Sequence, residues 1–393
     1  MHRVYLLILF LLSSLAGVTQ RLVTSAEAVN LSLQNKINAR PSELALQQQQ
    51  QLLKTTGGLD NPEVELEQSP YEGLLLGIQQ RLRLPGVYAS QKTLQRERIQ
   101  LARLMIRMNE NEIKRLVRNN YLQLQYLTAR SELLNSQDSL YNAIRIAAKR
   151  NFDAGQINKL QELFAANEAE KIRNERNRNL NELQTQKIVF GYLTNFNDSF
   201  SVEPLPTLPI DSLQINFFDT ALNTLQQQVL QQQVNIAGQE LKVQRGESLP
   251  EFTAGPLFPL SSDYKQAIGY SLGISVPLWF GQNRARINAA KTGIELAEAQ
   301  RQLEIRNISR EYQLAYSNLV KEQATLHYYN TTALYQSKEI IETALRLFSA
   351  GEMDYIEALR NIITAFETKV NYLETLKDFN EALIELQYLN GTL

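Results

Sequence analysis

The 393-residue sequence contains no cysteine. That excludes disulfides, thiolate metal sites, a catalytic thiol and a lipid anchor on an N-terminal cysteine. Histidine is nearly as scarce: His2 lies in the apolar leader and His327 stands alone in a helical stretch. One imidazole makes no metal site and gives nucleophilic catalysis little to work with. An excess of either charge is also lacking, with Lys+Arg 40 against Asp+Glu 41. The signs are interleaved, as from Glu168 to Arg178, so the electrostatic footprint of nucleic-acid binding is absent. No phosphate-cradling glycine loop, GxSxG elbow or HExxH helix occurs. The expectation is a protein that is not an enzyme, with no cofactor, no metal and no nucleic-acid partner. Met105 and Met108, one helical turn apart, read as packing residues.

Long apolar runs are missing too. After the leader no stretch of roughly 18 apolar residues appears, so no transmembrane helix is expected. The leader itself has His2-Arg3, an apolar run from Val4 to Leu12, and small residues from Ser13 to Ala16. This is the layout of a secretory signal peptide, expected over residues 1–19 with cleavage near Ala16.

What is present is a repetition. Leu76-Gly77-Ile78 recurs as Leu272-Gly273-Ile274, Phe152-Asp153-Ala154-Gly155 as Phe348-Ser349-Ala350-Gly351, and Tyr192-Leu193 as Tyr388-Leu389, each pair 196 positions apart. A first repeat over 20–200, a proline-punctuated linker over 201–215 and a second repeat over 216–393 follow. Each half reads as a short helix, two strands, a very long helix, a glycine turn and a returning helix.

The strands alternate strictly. Leu74, Leu76, Ile78, Leu82 and Leu84 share one face of Gly73–Leu84, with Gln80 as the exception. In Tyr264–Phe280, Ile268, Tyr270, Leu272, Ile274, Val276 and Leu278 oppose glycines, alanine and serines. Shorter partners are expected at Glu63–Gln68 and Glu251–Phe258. Such alternation suits a half-buried strand of a soluble sheet, or a barrel strand with lipid on one side and water on the other. Length favours the barrel, since a tilted strand of about 9–11 residues crosses a bilayer. Tyr71, Tyr88, Tyr264, Trp279 and Phe280 sit where interfacial aromatics are expected. The lipid-facing set is then Leu74, Leu76, Ile78, Ile268, Tyr270, Leu272, Ile274, Val276 and Leu278. Four strands close no barrel, because the smallest have about eight, so copies must combine.

No helix breaker occurs between Val87 and Arg150, and a rod of roughly 64 residues would measure on the order of 95 Å. A second rod is expected from Gln282 to Ser349, interrupted at Gly293. Apolar positions recur every seven residues at Leu127, Leu134, Tyr141 and Ala148, and from Ile305 through Tyr312, Leu319, Leu326, Ala333 and Ile340 to Leu347. Sustained sevens imply coiled-coil packing. Returning helices are expected at Lys159–Thr194 and Asp354–Leu389.

With the Leu84-Pro85-Gly86 and Phe280-Gly281 strand exits and the Phe-x-Ala-Gly turns, the mature chain resembles the TolC family of outer-membrane factors. The resemblance implies a mainly α protein with a transmembrane β part. It would be a homotrimer with four strands per protomer in a twelve-strand barrel, continued by a long α-helical coiled-coil barrel. It places the chain in the outer membrane of a Gram-negative cell, with a periplasmic extension. It implies passive conduction of substrates delivered by an inner-membrane pump through a periplasmic adaptor. The adaptor-docking tips would be Phe152, Ala154, Gly155, Phe348, Ala350 and Gly351. A tunnel-mouth acid is implied at Glu357, although the next expected acid is Arg360 and the first-repeat equivalent is Gln161. Pro85–Lys92 resembles members serving heavy-metal pumps of the resistance-nodulation-division type, which leans the cargo to metals or drugs. Other readings are a type I protein-secretion duct and a periplasmic coiled-coil scaffold.

Overall fold

The computed structural model describes residues 21–70, 73–210, 224–260, 268–277 and 280–393. In chain order the elements are β1 (Arg21–Val23), α1 (Ser25–Gln34), α2 (Lys36–Thr55), β2 (Glu63–Ser69), β3 (Gly73–Leu82), α3 (Pro85–Asp153), α4 (Lys159–Thr194), β4 (Phe200–Val202), α5 (Leu225–Glu247), β5 (Glu251–Pro259), β6 (Gly269–Ser275), α6 (Phe280–Tyr328), a π-helical turn (Tyr329–Ala333), α7 (Leu334–Ser349) and α8 (Tyr355–Asn390). The signal peptide, Tyr71, Tyr264, Leu278 and Trp279 lie outside the described residues. Two compact units draw on both halves of the sequence. One comprises 1–38, 111–215 and 311–393, the other 39–110 and 216–310.

The first unit is helical. α3 and α4 meet along the expected sevens: Leu127, Leu134, Tyr141 and Ala148 are all buried. Near the glycine turns, Tyr141, Ala165, Ala169, Ala344, Leu359, Ile362 and Phe366 form one cluster. Alanines alternating with large side chains let helices approach closely. A second cluster joins Leu319 and Leu326 of α6 to Leu376, Phe379, Leu383 and Leu386 of α8. Each fully buried side chain of this kind contributes about 1.5–3 kcal/mol.

Three features of this unit were not expected from sequence. β1 and β4 form a short parallel pair, held by Tyr121, whose hydroxyl donates to the Val23 carbonyl at 2.7 Å and accepts from the Glu203 amide at 3.0 Å. Residues 203–210, read as linker, are strapped down. Buried Asn380 donates to the Pro206 carbonyl at 2.7 Å and accepts from the Leu208 amide at 3.0 Å. The opening helix is two helices, because Asn35 leaves the helical conformation between α1 and α2. Its neighbours Ser32 and Asn38 bond the Leu193 carbonyl at 2.8 and 2.9 Å.

The second long helix also departs from expectation. Gly293 does not interrupt it; the π turn does. The sevens hold at Leu319, Leu326 and Ala333, but Ile340 is 40% exposed, and Ser337 and Ala344 are buried instead. The extra residue of the π turn moves the seam by one position, from 336 and 343 to Ser337 and Ala344.

The second unit carries the four-stranded antiparallel sheet, in the order β2-β3-β5-β6. Glutamines pin its helices: Gln95 donates to the Gln49 carbonyl at 2.9 Å, and Gln232 to the Glu97 carbonyl at 3.0 Å. β3 stops at Leu82, and α3 starts on Pro85, where a proline costs no hydrogen bond and its φ is already helical. β6 is shorter than expected, leaving Ile268 and Val276 beyond its ends.

Candidate functional site

The sheet register fixes which side chains share a face. Val64 pairs with Ile78, Leu66 with Leu76, Leu76 with Phe258, Leu82 with Phe252, Phe252 with Ile274 and Pro256 with Tyr270. Because neighbours across a ladder point the same way, these residues form one continuous apolar face. Nothing among the described residues covers it: Tyr270 is 81% and Leu272 84% exposed. Ile274, Ile268, Val276, Leu74 and Ile78 are exposed too, while Leu76 is half-buried.

Apart from Leu75 and Leu257, the opposite face is mostly polar or small. Glu63, Glu65 and Glu67 line β2, and Gly269, Ser271, Gly273 and Ser275 line β6. Between them Arg81 pairs with Glu63 at 2.7 Å, Arg83 with Glu251 at 2.9 Å and Asp60 at 3.2 Å, and Gln79 donates to Glu65 at 3.2 Å. β2 and β6 each pair on one side only, so among the described residues both outer edges present free backbone donors and acceptors.

The two glycine turns lie in the helical unit and are superimposable in their bonding. Gly155 and Gly351 are left-handed, at φ 71° and 73°. In the first turn the Gly155 amide donates to the Phe152 carbonyl and the Gln156 amide to that of Asn151. In the second, Gly351 donates to Phe348 and Glu352 to Leu347. This double pattern is the Schellman stop, which requires φ > 0 at the glycine. Asn158 and Asp354, again 196 positions apart, then cap α4 and α8. Gln161 donates to Asp354 at 3.0 Å and joins the two turns.

Ala154, Gly155, Ala350 and Gly351 are exposed. The rings of Phe152 and Phe348 are half-buried. Lys159 lies over Phe152 at 4.9 Å, and Tyr355 meets Phe348 edge-on at 5.3 Å. Glu357 is exposed in the first turn of α8, where the helix dipole favours an acid. Among the described residues no ion pair joins it to the six turn residues.

A cavity of about 330 Å³ in the same unit is lined by Arg118, Tyr121, Gln125, Glu203 and Gln387 among others. Arg118 donates to Gln387 at 3.1 Å, and burial lowers its pKa. Burial likewise pushes the Tyr121 hydroxyl up to about 12. Among the described residues no three His, Cys, Asp or Glu side chains gather as a metal site.

Sequence reasoning missed the apolar stripes on the flanks of the helical unit. α4 exposes Leu160, Leu163, Leu180, Ile188 and Tyr192, and α6–α7 expose Leu314, Val320, Tyr328, Tyr335 and Ile340.

Solved structures share this architecture. The outer-membrane channel OprN superposes with TM-score 0.82 at 14% identity, covering 94% of this chain and 90% of that one. The fold is one that this chain shares with an outer-membrane channel. A membrane protein from Pseudomonas aeruginosa gives TM-score 0.81 at 15% identity, over 93% and 90% of the two chains. The CmeC outer-membrane channel of Campylobacter jejuni gives 0.77 at 14%, over 94% and 85%. No protein-family model and no curated protein matches the sequence. The TolC-like fold expected from the sequence is therefore the one observed in the single chain: long helices, two glycine turns and a four-stranded sheet.

Proposed function

We propose that three copies of the chain form the outer-membrane exit duct of a tripartite efflux system. β6 of one copy pairs with β2 of the next, closing a twelve-strand barrel that an α-helical tunnel continues into the periplasm. The observation that carries this reading is the sheet: a continuous apolar face left bare, a polar face behind it, and both edges open. A soluble protein would leave that face and those edges as aggregation hazards. In a barrel, lipid covers the first and neighbouring copies satisfy the second. β3 with 10 residues and β5 with 9 match the ~9–11 that a tilted strand needs to cross the bilayer. The exposed stripes on α4 and α6–α7 supply matching flanks for copy-to-copy packing.

The chain itself is a passive conduit. A periplasmic adaptor docks on the turns at Phe152–Gly155 and Phe348–Gly351 and links the duct to an inner-membrane pump of the resistance-nodulation-division type, with heavy metals or drugs as cargo. Exposed backbone and small side chains at Ala154, Gly155, Ala350 and Gly351 suit close approach by a partner helix. The test is the native mass of the mature protein extracted by detergent from isolated outer membranes. A trimer in that fraction supports the duct. A monomer soluble in the periplasm refutes it and returns the chain to a coiled-coil scaffold.

A further inference from the structure

Where each long helix leaves the sheet, the charge pattern is one that neither strand pairing nor helix packing requires. From Pro85 to Arg96 the charged residues are Lys92 and Arg96, and from Phe280 to Ile294 they are Arg284, Arg286 and Lys291; neither stretch holds an acid. All five side chains are exposed. The ion pairs of this unit use Arg81, Arg83 and Arg98 instead, and among the described residues the five take part in none. Neither helix has an acid in its first turn, where the dipole would favour one.

We infer that these five cations form a collar that binds the phosphates of anionic phospholipids in the membrane leaflet nearest the helices. The inference rests on the barrel reading given above. Both helices follow strands of the apolar sheet directly, β3 before α3 and β6 before α6. At 1.5 Å per residue the cations sit within roughly 6–17 Å of the helix starts, and long basic side chains reach back toward an interface. Headgroups extend about 5–8 Å beyond each side of the hydrocarbon core. The occupant is a lipid rather than a free anion because both helices leave a sheet whose bare apolar face acyl chains would cover. Both start at the same end of that sheet, since β3 and β6 are each antiparallel to β5.

The chain's single tryptophan, Trp279, immediately precedes α6 in sequence and serves as the fluorescence reporter. The duct is reconstituted in bilayers containing brominated phosphatidylglycerol or brominated phosphatidylcholine, and tryptophan quenching gives the relative binding of the two. Each cation near an anionic surface contributes about fivefold, so the native protein should prefer phosphatidylglycerol by fivefold or more at low salt and by less at high salt. In R284Q/R286Q/K291Q the preference should fall several-fold while the trimer persists. R301Q/R306Q/R310Q, with the same charge change further along the helix, should keep it. No preference in the native protein, or an unchanged one in the first variant, overturns the collar. Loss of the preference on adding millimolar inorganic phosphate at constant ionic strength would place a free anion there and also overturns the lipid assignment. Failure of the duct reading looks different: neither lipid quenches Trp279, and no trimer is recovered from outer membranes.

Discussion

Gly255 is the position where the sheet tolerates least. It lies on the polar face of β5, opposite the stretch of β3 between its two runs of paired residues. A Cβ there would stand 1.8 Å from the Ile78 carbonyl oxygen, 2.8 Å from its carbon and 3.0 Å from the Gln79 Cα. All three are backbone atoms, so no rotamer change relieves the clash and β3 and β5 must part by more than an ångström. Overpacking of this severity costs about 1–3 kcal/mol, and each ladder bond stretched beyond reach adds roughly 1 kcal/mol. Gly255→Ala should therefore lower the equilibrium for sheet formation by two orders of magnitude or more, at about 1.4 kcal/mol per tenfold. Gly269→Ala is the control on the neighbouring strand, since its Cβ would meet Leu257 no closer than 3.5 Å. Both proteins are expressed at matched levels, and the heat-resistant oligomer is quantified in outer-membrane fractions. The expected result is near-complete loss for Gly255→Ala and a native amount for Gly269→Ala. Native amounts of both, with unchanged thermal midpoints, would refute the close approach of β3 and β5.

Further expectations follow from the helical unit. Gly155→Ala and Gly351→Ala should each cost about 1–2 kcal/mol through φ > 0 alone, since a Cβ meets nothing within 4 Å at either site; thermal midpoints check this, and asparagine should be the milder replacement at both. Tyr121→Phe removes the hydroxyl that bonds Val23 and Glu203 and should cost about 1–3 kcal/mol. Because the folded Tyr121 titrates at about 12 against 10.0 ordinarily, its contribution is complete below pH 10 and is lost as pH rises from there to 12. Native thermal midpoints should fall across that window, and the fall should be shallower in Tyr121→Phe. Deleting Thr331 removes the extra residue of the π turn and should leave oligomer yield intact. Deleting Asn135, at the equivalent place in uninterrupted α3, rotates the rest of that helix by about 100° and should abolish assembly.

Elements set by short-range chemistry were legible in the sequence. Lys159–Thr194 is helix between the residues expected, because Asn158 caps its start and Asn195 ends it in the left-handed region. The alternation made β3 and β6 legible as strands, because period-two pattern and pleat are the same geometry. What escaped notice depends on partners distant in sequence. β1 and β4 have three residues each, too few for a pattern, and need one another and Tyr121. The strap at Pro206–Leu208 looks like linker until Asn380, 172 residues beyond Leu208, is placed beneath it. The π turn is invisible because the sevens run on through Ile340 and Leu347; only packing against α8 shows which residues face inward. At the turns, the glycines were legible through their backbone demand, whereas Gln161–Asp354, which ties one turn to the other, joins residues on different helices.

The bare face of the sheet also bears on how the molecule is made. A solitary chain has no low-energy place for Tyr270, Leu272 and Ile274 and no partner for either outer strand, so folding of this unit and meeting of copies become one event. For the proposed trimer the native species would scale with the third power of free-chain concentration, and its apparent stability would be inseparable from expression level. Halving the supply of chains would cut the proposed trimer about eightfold, and a holding chaperone that shields the three residues until copies meet would raise yield without touching the final structure.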